Sequence, residues 1–173
     1  SRPSTTAAEN PLRTSFTQHQ PEPIVNTDTL STIIDKAFEE RASLDLQNPP
    51  AEIRTAVQTA IDMLDRGTAR VAEKAASGWV VNQWLKKAVL LHFGIERNVR
   101  IEAGFTDFYD KVPMKYANFS QEQFAAGGAR VVPGAIVRHG AHVARDVILM
   151  PSFVNIGAFV DSGTMVDTWV TVG

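Results

Sequence analysis

The sequence predicts an α+β N-terminal domain followed by a parallel β-solenoid that is built from six-residue repeats. Helical periodicity covers two segments between residues 26 and 66, and turn and strand signals follow them. After residue 130, aliphatic residues recur every six positions. The composition agrees with a globular fold, because 44% of the 173 residues are hydrophobic and 21% are charged.

Residues 1–25 carry four prolines and many small polar side chains, without a helical or strand period. We expect this segment to be a flexible tail and exclude it from the fold. It contains no apolar stretch of the kind found in secretory signals.

Two amphipathic helices are predicted next. Leu30, Ile34 and Phe38 recur at helical spacing, and Thr27 or Thr29 is expected to cap this first helix. The second helix begins after Pro49-Pro50 and is expected to stop at Gly67. A short link between two such helices predicts an αα-hairpin.

Residues 69–81 predict a β-hairpin with a turn at Ser77-Gly78. A third helix is expected from Gln83 to Phe93, with Gly94 ending it. Residues 95–119 are mixed and rich in aromatic side chains, and they give no clear element. Ser120 and Gln123 have the spacing of a capping box for one short helix.

The period of six after Arg130 fits neither an α-helix nor an alternating strand. It is typical of a hexapeptide repeat, in which each hexad forms one flat side of a solenoid and its aliphatic residue points inward. The predicted inward residues are Val131, Val137, Val143, Leu149, Val154, Val160, Val166 and Val172. One step, from Leu149 to Val154, is five residues long instead of six.

Charge and cysteine content exclude several functions. The formal charge of −2 leaves no basic excess for binding nucleic acid or an anionic membrane. No apolar run is long enough to span a membrane. The absence of cysteine excludes a disulfide framework, a thiolate metal site and a cysteine nucleophile among these residues. We therefore expect a cytoplasmic protein.

Four segments resemble the tetrahydrodipicolinate N-succinyltransferase family of hexapeptide acyltransferases. They are GTARVAEK at 67–74, WVVNQWLKKAVLLHF at 79–93, FYDKVPMKYANF at 108–119 and the whole of 130–173. MPSFVNIGAFVDSGTMVDTW at 150–169 is the most distinctive stretch. The resemblance runs from about Leu30 to Gly173.

The resemblance implies a mostly helical N-terminal domain, 26–129, before a left-handed β-helix that begins at 130–173. It implies a homotrimer with active sites in the grooves between subunits. The implied reaction moves succinyl from succinyl-CoA, a co-substrate, to the amino group of ring-opened tetrahydrodipicolinate in lysine and diaminopimelate synthesis. No permanently bound cofactor, metal, nucleic acid or membrane is expected.

Two residues match the family's substrate-binding positions. Arg130 begins the solenoid, and we expect its planar fork to bind a substrate carboxylate. Asp167 follows the inward Val166 and is expected at a corner that faces a groove. There it would bind the substrate amine and act as the general base.

Other polar residues of the solenoid are interpreted more simply. Asp161, one hexad before Asp167, is expected to be a turn residue. His139 and His142 could serve as a base or as zinc ligands of a hexapeptide carbonic anhydrase, which requires a third histidine. We expect both to be surface residues.

The family continues through further coils that build the CoA site and supply a second acidic residue. We expect those residues to lie beyond Gly173, so that this chain alone would not catalyse the reaction. The alternative hypothesis is a non-catalytic N-terminal fragment that acts as a folding or trimerisation unit.

Overall fold

The computed structural model describes residues 26–104 and 106–173, so the expectation for the tail at 1–25 lies outside the described residues. Helix α1 spans Thr27–Glu39 and α2 spans Ala51–Arg66. Neither of the two predicted threonines, Thr27 and Thr29, caps α1. The cap is Asn26, whose side-chain oxygen accepts hydrogen bonds from Asp28 N and Thr29 N at 3.0 and 3.3 Å.

Gly67 ends α2 as predicted, with a left-handed φ of +74°. A side chain is excluded here for a second reason, because a Cβ on Gly67 would lie 2.5 Å from His142 Nδ1. The glycine therefore allows the first coil of the solenoid to approach the end of α2.

Helix α3 spans Gln83–Ile95 and is longer than predicted. Gly94 does not end it. A Cβ on Gly94 would lie 2.6 Å from Leu46 Cδ1, so this glycine permits close packing inside the helix. The three helices pack on one another and form the first core. Its most deeply buried members are Ile34, Ala60, Ile61, Leu85, Ala88 and Leu91.

The predicted β-hairpin is present as β1, Ala72–Ala75, and β2, Gly78–Val81, paired antiparallel. Its turn is Ala76-Ser77, one residue earlier than predicted, because Gly78 already pairs with Ala75. A second hairpin, β3 at Val99–Glu102 and β4 at Asp107–Asp110, lies in the segment at 95–119, where no clear element is predicted.

Helix α4 spans Gln121–Gly127 and begins with the predicted capping box. Ser120 Oγ accepts from Gln123 N at 3.3 Å, and Gln123 Oε1 accepts from Ser120 N at 2.7 Å. Gly128 ends the helix with a φ of +73°.

Eight two-residue strands follow, and all of their pairings are parallel. They are β5 Arg130–Val131, β6 Ile136–Val137, β7 His142–Val143, β8 Ile148–Leu149, β9 Phe153–Val154, β10 Phe159–Val160, β11 Met165–Val166 and β12 Thr171–Val172. They form three sheets, ordered β5-β8-β11, β6-β9-β12 and β7-β10. This arrangement is consistent with the start of a β-helix.

Each predicted inward aliphatic is the second residue of its strand. Val131 pairs with Leu149 and Leu149 with Val166, so side chains of the same hexad position stack on one another. The second core is made by these stacks. Its buried members are Val137, Ala141, Val147, Leu149, Val154, Ala158, Val160 and Val166.

None of the helices within the described ranges is long and apolar enough to cross a membrane.

Candidate functional site

Asp167 occupies an exposed corner directly after β11. Its carbonyl oxygen accepts from Val170 N at 3.2 Å, which closes a turn over residues 167–170. Its side-chain Oδ1 accepts from Thr168 N at 2.7 Å. One carboxylate oxygen is thus held by the backbone, which fixes the direction of the side chain, and the group remains open to solvent.

The same local hydrogen bond recurs at two other corners. Asp161 Oδ1 accepts from Ser162 N at 2.8 Å, and Asn155 Oδ1 accepts from Ile156 N at 3.0 Å. Turn chemistry alone therefore does not distinguish Asp167 from Asp161. The distinction has to come from what surrounds each corner.

Arg130 lies in the sheet whose last strand, β11, ends directly before Asp167. Arg130 is the exposed first residue of β5, and it pairs in register with Ile148, which in turn pairs with Met165. The two outer strands of this sheet are two strand spacings apart, roughly 10 Å. Asp161 instead follows β10, whose sheet contains β7 and lacks β5. The sheet that ends before Asp167 therefore contains Arg130, and the sheet that ends before Asp161 does not.

The face between Arg130 and Asp167 is apolar. Since the inward positions are Val131, Leu149 and Val166, the alternating outward positions are taken by Ile148 and Met150 on the central strand and its continuation. A guanidinium at one edge and a carboxylate at the other, across an apolar strip, suit a small aliphatic molecule that carries both an anionic and a cationic group.

His139 and His142 are not simple surface residues. The structure places both, half-buried, against α2. His139 Nδ1 lies 3.2 Å from Asp65 Oδ1, and His142 Nδ1 lies 3.4 Å from the Asp65 carbonyl oxygen. The ring of His142 also packs on Phe159, with 4.6 Å between ring centroids.

Asp65 is the centre of this junction between α2 and the solenoid, and no sequence pattern identified it as a site residue. Its carboxylate also accepts from Gly140 N at 2.8 Å and pairs with Lys115 Nζ at 2.9 Å. One signal was present, since Asp65 follows Ile61 by four positions and so lies on the buried face of α2. A charge on an apolar face requires partners.

The network shifts the ionisation of its members. Burial opposes ionisation of Asp65, but hydrogen bonds from His139 and Lys115 outweigh it, and the pKa of this carboxyl is held far below its usual range. The hydrogen bond to Asp65 raises the pKa of His139. Burial, with the charge of Asp65, raises the pKa of Tyr116 to about 12.

A second contact joins the solenoid to the rest of the chain. Arg138, after β6, pairs with Asp110 of β4 at 2.6 Å and donates to Asn155 Oδ1 at 3.1 Å. Together the two contacts fix the first coils of the solenoid against both α2 and the second hairpin.

A cavity of about 570 Å³ lies between the first hairpin, α3 and the solenoid, away from both Arg130 and Asp167. The Arg70 guanidinium lies there over the Phe159 ring, 3.6 Å from its centroid. Among the described residues, no group of three His, Cys, Asp or Glu side chains is arranged to hold a metal ion.

Comparison with known proteins gives a consistent result. The family model described as tetrahydrodipicolinate N-succinyltransferase N-terminal matches residues 29–95. A protein of Acinetobacter baylyi named 2,3,4,5-tetrahydropyridine-2,6-dicarboxylate N-succinyltransferase is 57% identical over 144 residues, which are 83% of this chain and 53% of that protein. Proteins of the same name are 57% identical in Sodalis glossinidius, over 84% of this chain and 53% of that protein, and 59% identical in Paraburkholderia phymatum, over 78% and 49%. The chain spans about half the length of the curated relatives it matches.

Proposed function

Since the chain belongs to the tetrahydrodipicolinate N-succinyltransferase family, whose N-terminal portion it matches, we propose that the protein carrying it succinylates ring-opened tetrahydrodipicolinate. Succinyl-CoA is the co-substrate, and the product is an intermediate of lysine and diaminopimelate synthesis. The observation that carries this proposal, beside the relatives' names, is that Arg130 lies in the sheet whose last strand ends directly before Asp167. The relatives lend no support to a purely non-catalytic folding or trimerisation unit.

The proposed step is a direct acyl transfer. The substrate amine attacks the thioester carbonyl, an N–C bond forms, the C–S bond breaks, and CoA leaves as its thiol after taking up a proton. None of the 173 residues is a cysteine, so none of them can form an acyl-thioenzyme, and we propose that the amine attacks within a ternary complex.

Asp167 is proposed to bind the amine and to accept its proton. An amine must lose a proton to become a stable amide, and a positioned carboxylate can take it. The backbone hydrogen bond from Thr168 leaves the second oxygen of Asp167 available for this contact.

Arg130 is proposed to bind one of the two substrate carboxylates through its planar fork. Its exposed position on β5 leaves the guanidinium accessible from the outer face of the sheet. With the amine at Asp167, the substrate would lie across the apolar strip between them.

The finer architecture is proposed on the same basis. We assign residues 26–129 to an N-terminal domain and 130–173 to the first coils of a left-handed β-helix, in a cytoplasmic homotrimer whose active sites lie between subunits and hold no resident cofactor. The three sheets, each made of parallel strands, support the solenoid part of this assignment.

The test compares two corner variants in the natural full-length protein. Asp167→Asn keeps the size and the turn hydrogen bond but removes the charge and the basic oxygen. Turnover should fall by roughly a hundredfold to ten-thousandfold, the range expected for loss of a general base. Thermal stability should change little, because Asp167 is exposed.

Asp161→Asn is the matched control, because Asp161 makes the same turn hydrogen bond at an exposed corner. Its turnover should stay within a few-fold of the wild-type value. Equal behaviour of the two variants would disprove the role of Asp167.

A further inference from the structure

Four corners of the solenoid share one turn, in which the first carbonyl accepts from the fourth N–H. The distances are 3.0, 3.2, 3.1 and 3.2 Å for the turns that begin at Val132, Arg138, Asn155 and Asp167. In each, the third residue adopts a left-handed φ. This residue is Gly134 in the first turn, Gly140 in the second, Gly157 in the third and Trp169 in the fourth.

Tryptophan is an unfavourable choice at this position. Turns with a positive φ at the third residue select glycine or asparagine, because a Cβ is strained there. Trp169 has a φ of +63°. The other two non-glycine residues with positive φ in the described part of the chain are Asn118 and Asp146, types that tolerate the conformation.

Packing against the described residues does not account for Trp169, which is 84% exposed. Its N–H donates to Pro151 O at 2.7 Å, a backbone contact that glycine would make equally well. Strained backbone of this kind clusters at functional sites, which makes Trp169 a candidate for a functional role.

The neighbour of Trp169 suggests that function. Asp167 is flanked two residues before by Met165 and two residues after by Trp169, and Met165 is 58% exposed. A carboxylate with exposed apolar residues two positions before and after it in the chain is suited to an ammonium on an aliphatic chain, because the carboxylate binds the charge and apolar groups nearby can cover the methylenes.

We propose that Trp169, together with Met165, forms an apolar wall against which the methylene chain of the amine substrate packs when its amino group is held at Asp167. Trp169 is thus a specificity-determining residue for aliphatic amino substrates. This inference rests on the function proposed above and deepens it.

The test is Trp169→Gly in the natural full-length protein, with the KM for each substrate and the thermal midpoint measured together. The KM for the amine should rise roughly tenfold to a hundredfold, as expected for a lost apolar contact. The KM for succinyl-CoA should stay within about twofold. The thermal midpoint should be unchanged or higher, because glycine adopts the left-handed φ without strain.

Trp169→Phe should restore most of the affinity for the amine, because it returns an apolar ring while keeping the strain. Tyr109→Ala is the control for loss of an exposed aromatic side chain, since Tyr109 is 74% exposed on the second hairpin. It should leave both KM values unchanged.

Three outcomes separate the hypotheses. Wild-type protein without succinyl transfer would overturn the proposed function. An active wild type with an unchanged amine KM in Trp169→Gly would overturn only the present inference. A marked drop in the thermal midpoint of Trp169→Gly would also overturn it, since Trp169 would then be a packing residue.

Discussion

Asp65 and His139 join the helices to the solenoid through a 3.2 Å contact between Oδ1 and Nδ1. The two residues are 74 positions apart in the chain, Asp65 on α2 and His139 between β6 and β7. The contact extends to Asp62, whose Oδ1 lies 3.6 Å from His139 Nε2. Three groups on α2 and the first coil therefore share one charge network, and Lys115 supplies its cation.

Asp65→Asn should destabilise the fold by roughly 3 kcal/mol. The change removes the negative charge and leaves Lys115, whose side chain is only 13% exposed, without a counter-ion. Chemical denaturation would measure the loss. Asp107→Asn is the matched control, because Asp107 pairs with Arg100 at 2.7 Å on the surface, where such a pair contributes about 0.5 kcal/mol. Equal losses in the two variants would contradict the junction role of Asp65.

The stability contributed by His139 should decrease as the pH rises. The hydrogen bond to Asp65 raises the pKa of His139, so the folded state favours the protonated ring. This contribution is complete below the unfolded pKa near 6.5 and is lost as the pH rises through the folded value. Asp65 stays ionised throughout, because its pKa is lowered.

His92 acts in the opposite direction, since burial lowers its pKa and the folded state favours the neutral ring. The measurement therefore compares wild type with His139→Gln, in which His92 is unchanged. The difference in unfolding free energy should be larger at about pH 6 than at about pH 8. A difference that is constant or grows with pH would contradict the assignment.

Val160→Asp should abolish the folded solenoid. Val160 is buried and pairs with Val143, so an aspartate here would bury an unpaired carboxylate at a cost of several kcal/mol. Circular dichroism and size-exclusion chromatography would report the loss of the fold and of the proposed trimer. Thr171→Asp, at an exposed outward position of β12, should retain both. A stable Val160→Asp variant would mean that the inward positions are wrongly assigned.

Arg130→Lys should weaken binding of the amine substrate more than binding of succinyl-CoA. Lysine keeps the positive charge but cannot form two parallel hydrogen bonds with a carboxylate. Steady-state kinetics of the natural full-length protein would measure both KM values. Arg100→Lys, a change at an exposed ion pair on the second hairpin, should alter neither. An unchanged amine KM in Arg130→Lys would remove Arg130 from the site.

The solenoid could be predicted residue by residue because its information is local and periodic. Each inward aliphatic, from Val131 to Val172, is fixed by its spacing from the next, and the structure confirms all eight positions. The end of α2 at Gly67 and the capping box at Ser120 were predictable for the same reason, since a few neighbouring residues determine them.

Contacts between distant segments could not be predicted in this way. Gly94 is needed inside α3 because Leu46 packs against it, and not as a helix end. Asp65 is paired because His139 and Lys115 fold against α2. The second hairpin escaped prediction because its four-residue strands carry mixed side chains, with a cross-strand pair from Arg100 to Asp107. The roles of Arg130 and Asp167 came from the family resemblance and stay predictions.

The uneven coil length has a consequence for how this architecture can vary. Val131 pairs with Leu149 across 18 residues, whereas Val137 pairs with Val154 across 17, yet both pairs are parallel and in register. The residue that is missing between Leu149 and Val154 is absorbed at the corner that contains Pro151 and Ser152, where Ser152 Oγ donates to Met150 O at 2.7 Å. The number of residues in a corner can therefore differ from coil to coil, whereas the number in a strand stays at two. Insertions that add new surface loops should be accepted at corners such as this one, and the same insertions inside a two-residue strand should not.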